Sequence, residues 1–378
     1  MYFPISPSEL AIFASLGFTA LYWGLRKDSP QVSLKLESEV SEQSLLNLQN
    51  RYGYNAHSLV SISKNAKKWF DHQTNCGLTY FEQGKMRLVA GEVMGAEENI
   101  EASVIKFLEQ SHYQNKLICF LPTTEKFART VAPLGFEAVK IGASPYFDLT
   151  QWNPRGNKAK KMRVGCNQAR KSGVLVQEVE KIDLALEMEV KNLSQCWLKT
   201  RRAEIEFGWL FELNPFRHAQ HKKFFVARNE ENRLVGLLAA SPIPARQGWY
   251  LEDILRFPDS PNGTTDLLIF EALKFLSERG EKLATLGTVP LAVDGQDDFS
   301  NKKYPLSKML FNFSRQNGEF IYNFKGLRHF KGKFVPTWWE SEYILLPKGL
   351  FIPPRIANTF FHAILPNGLL SLFKSKLN

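Results

Sequence analysis

Two stretches of this chain run through the same order of hydrophobic patterns, and that order leaves few architectures open. In the first, residues 59–62 and 77–81 alternate like strands, and Gln83-Gly84 marks a hairpin turn into residues 86–90. Ile100, Val104, Phe107 and Leu108 then follow at helical spacing, residues 117–121 form a short apolar run, and a helix over 125–134 is stopped by Gly135 before a strand at 138–141. In the second, a helix over 182–200 precedes strands at 224–228 and 234–241, joined by a turn at 229–232. An alternating run at 249–256, a helix over 264–278 ended by Gly280, and a strand at 283–287 complete it. Strands and helices interleaved in this way predict a mixed α/β fold in two successive units. No short sequence repeat accompanies the repeated pattern.

The 378 residues suffice for two domains, expected at 45–153 and 154–346, with a helix over 45–50 ending before Gly53. Apolar residues at 44% and charged ones at 23% exclude a disordered chain. A net charge of +10 favours an anionic partner: nucleic acid, an acidic membrane surface or a phosphorylated substrate. Cys76, Cys119, Cys166 and Cys196 show no CxxC spacing, so reduced thiols are expected, with no metal site and no cofactor. The His residues are scattered; His218 and His221 read as surface residues, and no Ser/His/Asp or Cys/His nucleophile is evident.

Both ends have apolar character. Leu10 to Leu25 is an uncharged run, shorter than the roughly 20 residues a spanning helix needs, with Arg26 and Lys27 directly after it. No basic residue precedes the run and it closes on Tyr22 and Trp23, which argues against a cleaved signal. Residues 1–30 are therefore expected to be an anchor or interfacial helix on the cytoplasmic face, or a buried core helix, with a polar linker over 31–44. Residues 347–378 read as an amphipathic tail lying on a membrane or on the protein's own core.

Two cationic segments stand out. Between Arg155 and Lys171 there are seven cations (Arg155, Lys158, Lys160, Lys161, Arg163, Arg170, Lys171) and no acid, on a predicted helix ending at Gly173. A solvated helix face is the ordinary use of such a run; one sign without compensation points instead to phosphate contact, RNA included. The other is Glu319-Phe-Ile-Tyr-Asn-Phe-Lys-Gly-Leu-Arg-His-Phe-Lys-Gly-Lys-Phe334, where aromatics alternate with Lys325, Arg328, His329, Lys331 and Lys333. It reads either as a phosphate site over an apolar floor or as an aromatic-rich strand with a solvated basic turn.

Several motifs resemble the C-terminal catalytic domain of the phosphatidylglycerol lysyltransferases, the aminoacyl-phosphatidylglycerol synthases. They are Asp253-Ile-Leu-Arg256, Pro261-Asn-Gly-Thr-Thr-Asp266 with Phe270-Glu271, Leu286-Gly-Thr-Val-Pro-Leu291, and Tyr322-Asn-Phe-Lys-Gly-Leu-Arg-His-Phe-Lys-Gly-Lys-Phe334, in order over roughly residues 45 to 346. Weaker echoes are Val89-Ala-Gly-Glu-Val-Met-Gly95 and Gly135-Phe-Glu-Ala-Val-Lys-Ile-Gly142. The resemblance implies a pair of acetyltransferase-like (GNAT-type) domains. It also implies transfer of an aminoacyl group, lysyl or similar, from charged tRNA to the hydroxyl of phosphatidylglycerol at the membrane. The chain departs from the family's pattern at Glu92, at Ile141-Gly-Ala-Ser-Pro145, and at Thr265 and Thr288 where methionines are usual. At most one short anchor is expected in place of the family's multi-span domain.

On this reading Asp253 accepts a proton or holds the amino acid's ammonium, and Lys325 and Arg328 grip a phosphate. Arg256, Asp266, Glu271, Tyr322, Asn323 and Lys331 are expected to contact substrate, and the seven cations of the basic run to contact tRNA. The bland alternatives are an Asp253–Arg256 ion pair and Asp266 as an ordinary acid in a first helical turn. Two other functions share the fold. An acyl-CoA-dependent N-acyltransferase would need a glycine-rich pyrophosphate turn, for which no convincing Q/R-x-x-G-x-G/A sequence is present. A non-catalytic membrane- or RNA-binding relative would bind without turnover.

Overall fold

The computed structural model describes residues 41–199, 210, 212–290, 324–349, 359 and 362. The apolar run at 10–25, the linker at 31–40, Tyr322, Asn323 and nearly all of the C-terminal tail lie outside the described residues. Among the described residues no helix is long and apolar enough to cross a membrane.

The fold is mixed α/β, as the element order predicts. Strands β1 (Lys67–Asp71), β2 (Cys76–Gln83), β3 (Met86–Ala90), β4 (Leu117–Thr123), β5 (Phe136–Asp148), β6 (Leu175–Val179), β7 (Lys223–Arg228), β8 (Leu234–Ile243), β9 (Gly248–Arg256), β10 (Leu283–Thr285), β11 (Val289–Pro290) and β12 (Trp338–Pro347) belong to one sheet. Its order is β1-β2-β3-β4-β12-β5-β10-β9-β8-β7-β6, with β11 beside β5. The pairs β3–β4 and β9–β10 are parallel and the other pairings antiparallel. The last strand, β12, lies between β4 and β5, so the two successive units share a sheet closed by the end of the described chain.

Helices α1 (Glu42–Tyr52), α2 (Ser58–Ser61), α3 (Glu97–Tyr113), α4 (Glu125–Val131), α5 (Lys160–Lys171), α6 (Leu184–Lys199), α7 (Thr264–Glu278) and α8 (Phe324–Gly332) cover the sheet. In the second unit α5 and α7 bury Met162, Cys166, Leu268 and Ala272 against one face, with Phe225, Leu238 and Leu251 from the strands. Helix α6 buries Leu186, Val190 and Leu193 against the other, with Ala239 and Leu255. Helix α7 departs from Gly263, whose φ of 85° lies in the left-handed region. A Cβ there would stand 1.9 Å from the Gly165 carbonyl oxygen, so α5 and α7 touch where neither tolerates a side chain. Gly263→Ala combines overpacking with a left-handed alanine and is expected to cost roughly 3 kcal/mol, read as a lowered denaturant midpoint at unchanged slope.

Two expectations change. Residues 59–62 were expected to alternate as a strand; the segment is instead the helical turn α2, where the Asn55 side chain accepts the His57 amide and Leu59 and Ile62 bury together at i, i+3. The aromatic-basic stretch is helix α8 from Phe324 onward, not a strand leading into a basic turn. Its aromatics repeat every second residue at 320, 322 and 324, but Leu327, Phe330 and Phe334 form an apolar face at helical spacing, and that face packs on the core. His218 also differs from a surface residue: its Nε2 lies 2.6 Å from the Ile62 carbonyl, joining the two units.

Candidate functional site

Strand β9 alternates only until Glu252. Leu251 pairs with Ala240 and Asp253 with Ala239, so Glu252 is the extra residue of a β-bulge. Trp249, Leu251 and Ile254 consequently pack towards α5 and α7, while Leu255 packs towards α6. The bulge sends Glu252 and Asp253, adjacent in sequence, to the same side, together with Tyr250.

The two carboxylates have different surroundings. Glu252 is committed: it pairs with Lys222, the two side chains being 7% and 4% exposed, and it accepts from Ser241 Oγ at 2.8 Å. Asp253, partly buried, makes no hydrogen bond or ion pair among the described residues. Burial and the charge of Glu252 push it up to about 7, against the opposing pull of Lys222 and Arg217. An acid so placed changes charge near neutral pH, where a general base works best.

Around this pair lies a polar seam built from both units. The ring of His57 sits 5.3 Å from that of Tyr250, and burial holds His57 down at about 4, so its imidazole is neutral at physiological pH. Burial and then the surrounding carboxylates hold the Tyr250 phenol well above its ordinary range. Glu92, raised by burial, accepts from Asn55 Nδ2 at 3.2 Å and from the Thr124 amide at 2.6 Å. Glu342, also raised by burial, accepts from Ser144 Oγ at 2.5 Å and from Thr288 Oγ1. Arg246 binds Glu340 through two bonds of 3.0 and 2.8 Å and lies 4.2 Å over the Tyr146 ring and 5.0 Å over Tyr54.

Helix α8 closes the seam. Lys331 Nζ donates to the carbonyls of Leu286, Gly287 and Thr288 at 2.7, 2.9 and 3.0 Å. Burial lowers Lys331 to about 7, with Glu342 pulling the other way. Gly287 meets Tyr250 directly, since a Cβ there would lie 2.5 Å from the phenol ring. The motifs around Asp253, Gly287 and Lys331 thus converge. Lys331→Met would leave three carbonyls unpaired and is expected to destabilise by about 2–3 kcal/mol, measured as a lowered melting temperature.

The remaining expected residues are placed as follows. Arg328 lies 4.7 Å over the Trp339 ring, and Lys325 falls in the first turn of α8. Arg256 is exposed, with its Nη1 3.4 Å from the Phe257 carbonyl oxygen; it stands three residues from Asp253 on one strand, and Asp253 forms no ion pair with it. Asp266, in the first turn of α7, pairs with Lys333 at 2.5 Å, and Glu271 with Arg170 at 2.6 Å. In the basic run, Arg155, Lys158, Lys160, Lys161, Arg170 and Lys171 are exposed, and Arg163 donates to the carbonyls of Pro154 and Gly156. The two cationic segments meet where Lys161 Nζ lies 3.0 Å from His329 Nε2.

Sequence reasoning missed Glu252, Lys222, His57, Arg246 and Glu342. One signal was available: strict alternation puts Asp253 in register with Leu251 and Leu255, and an acid in an apolar register hints at a bulge.

Fold and site together describe a mixed α/β protein built on one sheet, with a carboxylate, Asp253, that has no partner among the described residues. The sequence matches the family described as "Phosphatidylglycerol lysyltransferase, C-terminal" over residues 47–346, and the chain belongs to that family. It is 25% identical over 302 residues to the phosphatidylglycerol lysyltransferase of Bacillus subtilis (strain 168), covering 79% of this chain and 34% of that protein. With that of Staphylococcus aureus (strain COL) it is 23% identical over 340 residues, 90% of this chain and 39% of that one. The chain thus spans a little over a third of the length of these relatives. Among solved structures, L-PGS from Bacillus licheniformis superposes with a TM-score of 0.72 at 21% identity, covering 86% of this chain and 98% of that one. A C-terminal domain from Agrobacterium fabrum gives 0.71 at 21% identity, covering 85% and 96%.

Proposed function

We propose that this chain is an aminoacyltransferase that moves an aminoacyl group from charged tRNA to the hydroxyl of phosphatidylglycerol at a membrane surface. Family membership supports the reaction class. The observation that carries the site is the Asp253 carboxylate, without a partner among the described residues and held near neutrality beside Glu252. The glycerol oxygen attacks the carbonyl carbon of the aminoacyl ester while Asp253 takes the hydroxyl proton. The bond from that carbon to the ribose oxygen then breaks, and the proton passes to the departing ribose hydroxyl. Lys325 and Arg328 are assigned to the phosphate and to the charge developing on the ester, where fixed cations act most strongly. On this reading Asp266 holds Lys333, just past α8, and Glu271 holds α5 to α7, while Lys331 fixes α8. The seven cations from Arg155 to Lys171 face the tRNA backbone, and the net charge of +10 suits both polyanions.

Expression in a host rich in phosphatidylglycerol, with total lipid analysed by mass spectrometry, tests the proposal. A new phosphatidylglycerol species heavier by one aminoacyl residue is expected, and its mass names the amino acid; it should be absent with Lys325→Ala. Folded protein that leaves the lipid profile unchanged with the cognate charged tRNAs present would overturn it.

A further inference from the structure

Helices α5 and α7 leave a cleft of about 460 Å³ on the sheet face opposite Asp253. Trp152 and Phe270 line it beside the buried Met162 and Cys166, together with Arg155, Arg163, Arg170 and Lys274. Glu278 also lines it, 3.7 Å from Lys274.

The aromatic lining is held in place. Trp152 Nε1 donates to the Phe334 carbonyl at 2.9 Å, and its ring meets Phe147 edge-on at 6.4 Å and Phe270 at 6.0 Å. Arg170 lies 5.4 Å over Phe270 and is tied to Glu271, while Arg163 is tied to two carbonyls. Arg155 is exposed and its side chain has no partner among the described residues. Fixed aromatic faces among cationic side chains suit a flat ring joined to a phosphate.

We propose that this cleft binds one unpaired nucleotide of an RNA, its base stacked on Trp152 and Phe270 and its phosphate held by Arg155 and Arg163. The inference rests on the reading above, in which that RNA is the aminoacyl donor. Helix α8 and the residues just after it connect cleft and site: Lys331 reaches the Gly287 carbonyl beside Tyr250, and the carbonyl of Phe334, two residues past the helix, holds Trp152. A phospholipid headgroup offers the phosphate but no ring, and Val164 is the one large apolar side chain exposed on α5, too little for insertion into a bilayer.

The test measures fluorescence anisotropy of the full chain with a labelled ten-nucleotide single-stranded RNA, a duplex of the same length, and phosphatidylglycerol vesicles. Trp152→Leu should weaken single-strand binding roughly ten-fold and leave duplex binding unchanged. Arg155→Ala, a surface change that does not threaten the fold, should lower the slope of log affinity against log salt by about one. Unchanged single-strand affinity and slope in Arg155→Ala would overturn the proposal, as would a loss confined to vesicle binding. If tRNA-dependent lipid product forms while both variants bind RNA like the wild type, the donor reading stands and the cleft falls. If no such product forms but the variants lose single-strand binding, the donor reading falls and the cleft stands.

Discussion

Asp253→Asn should reduce lipid aminoacylation by about 10²–10⁴-fold, the usual contribution of a positioned base, while tRNA and lipid binding persist. Asparagine keeps the shape and removes only the ionisable oxygen, so a loss in kcat at constant KM identifies proton transfer. A rise in the KM for charged tRNA at constant kcat would instead assign Asp253 to holding the substrate's ammonium. The wild-type rate should climb with pH and level off above about 7, because the carboxylate is the working form. Stability should respond in the opposite sense. A carboxyl raised on folding stabilises fully below its unfolded value, near 3.8, and loses that contribution as pH rises through about 7. Neutral asparagine loses nothing over this range, so the variant should match the wild type near pH 3.5 and melt higher at pH 8. Higher stability with lost turnover is the signature of a strained functional group. Equal melting temperatures at pH 8 would show that Asp253 is not held in an unfavourable charged state.

What could be read from the sequence was local. Helix α7 follows from its apolar periodicity and the glycine at 280, and the β2–β3 hairpin from Gln83-Gly84, because both depend on neighbours within a few residues. The place of β12 depends on pairing between residues about two hundred apart, such as Glu342 with Gly142, and no pattern inside the strand encodes that partner. The candidate site divides the same way. Asp253, Arg328 and Lys331 were visible as members of motifs, whereas His57, Glu92 and Glu342 acquire meaning only when the units share one sheet. Asp266 and Glu271 show the reverse: acids that look like ligands in a motif are occupied by Lys333 and Arg170 once the helices pack.

Glu252 is where stability and chemistry are most tightly joined. Its pair with Lys222 is almost wholly enclosed, with side chains 7% and 4% exposed, so Glu252→Ala strands a buried ammonium and leaves the Ser241 hydroxyl without its acceptor. Breaking such a pair from one side costs about 3–5 kcal/mol, which should appear as a large fall in the denaturant midpoint. Glu252→Gln keeps an oxygen for Lys222 and should lose less, which makes it the variant for kinetics. In it, Asp253 no longer faces a neighbouring negative charge, and Lys222 no longer has one to neutralise. Both changes favour the ionised form of Asp253, so the acid limb of the pH–rate profile should move below about 7. A limb that stays where it was would mean that burial alone sets the Asp253 value, and that the bulge bringing the two carboxylates to one face serves packing. A displaced limb would mean that the extra residue in β9 tunes the base, through a carboxylate that itself never touches substrate.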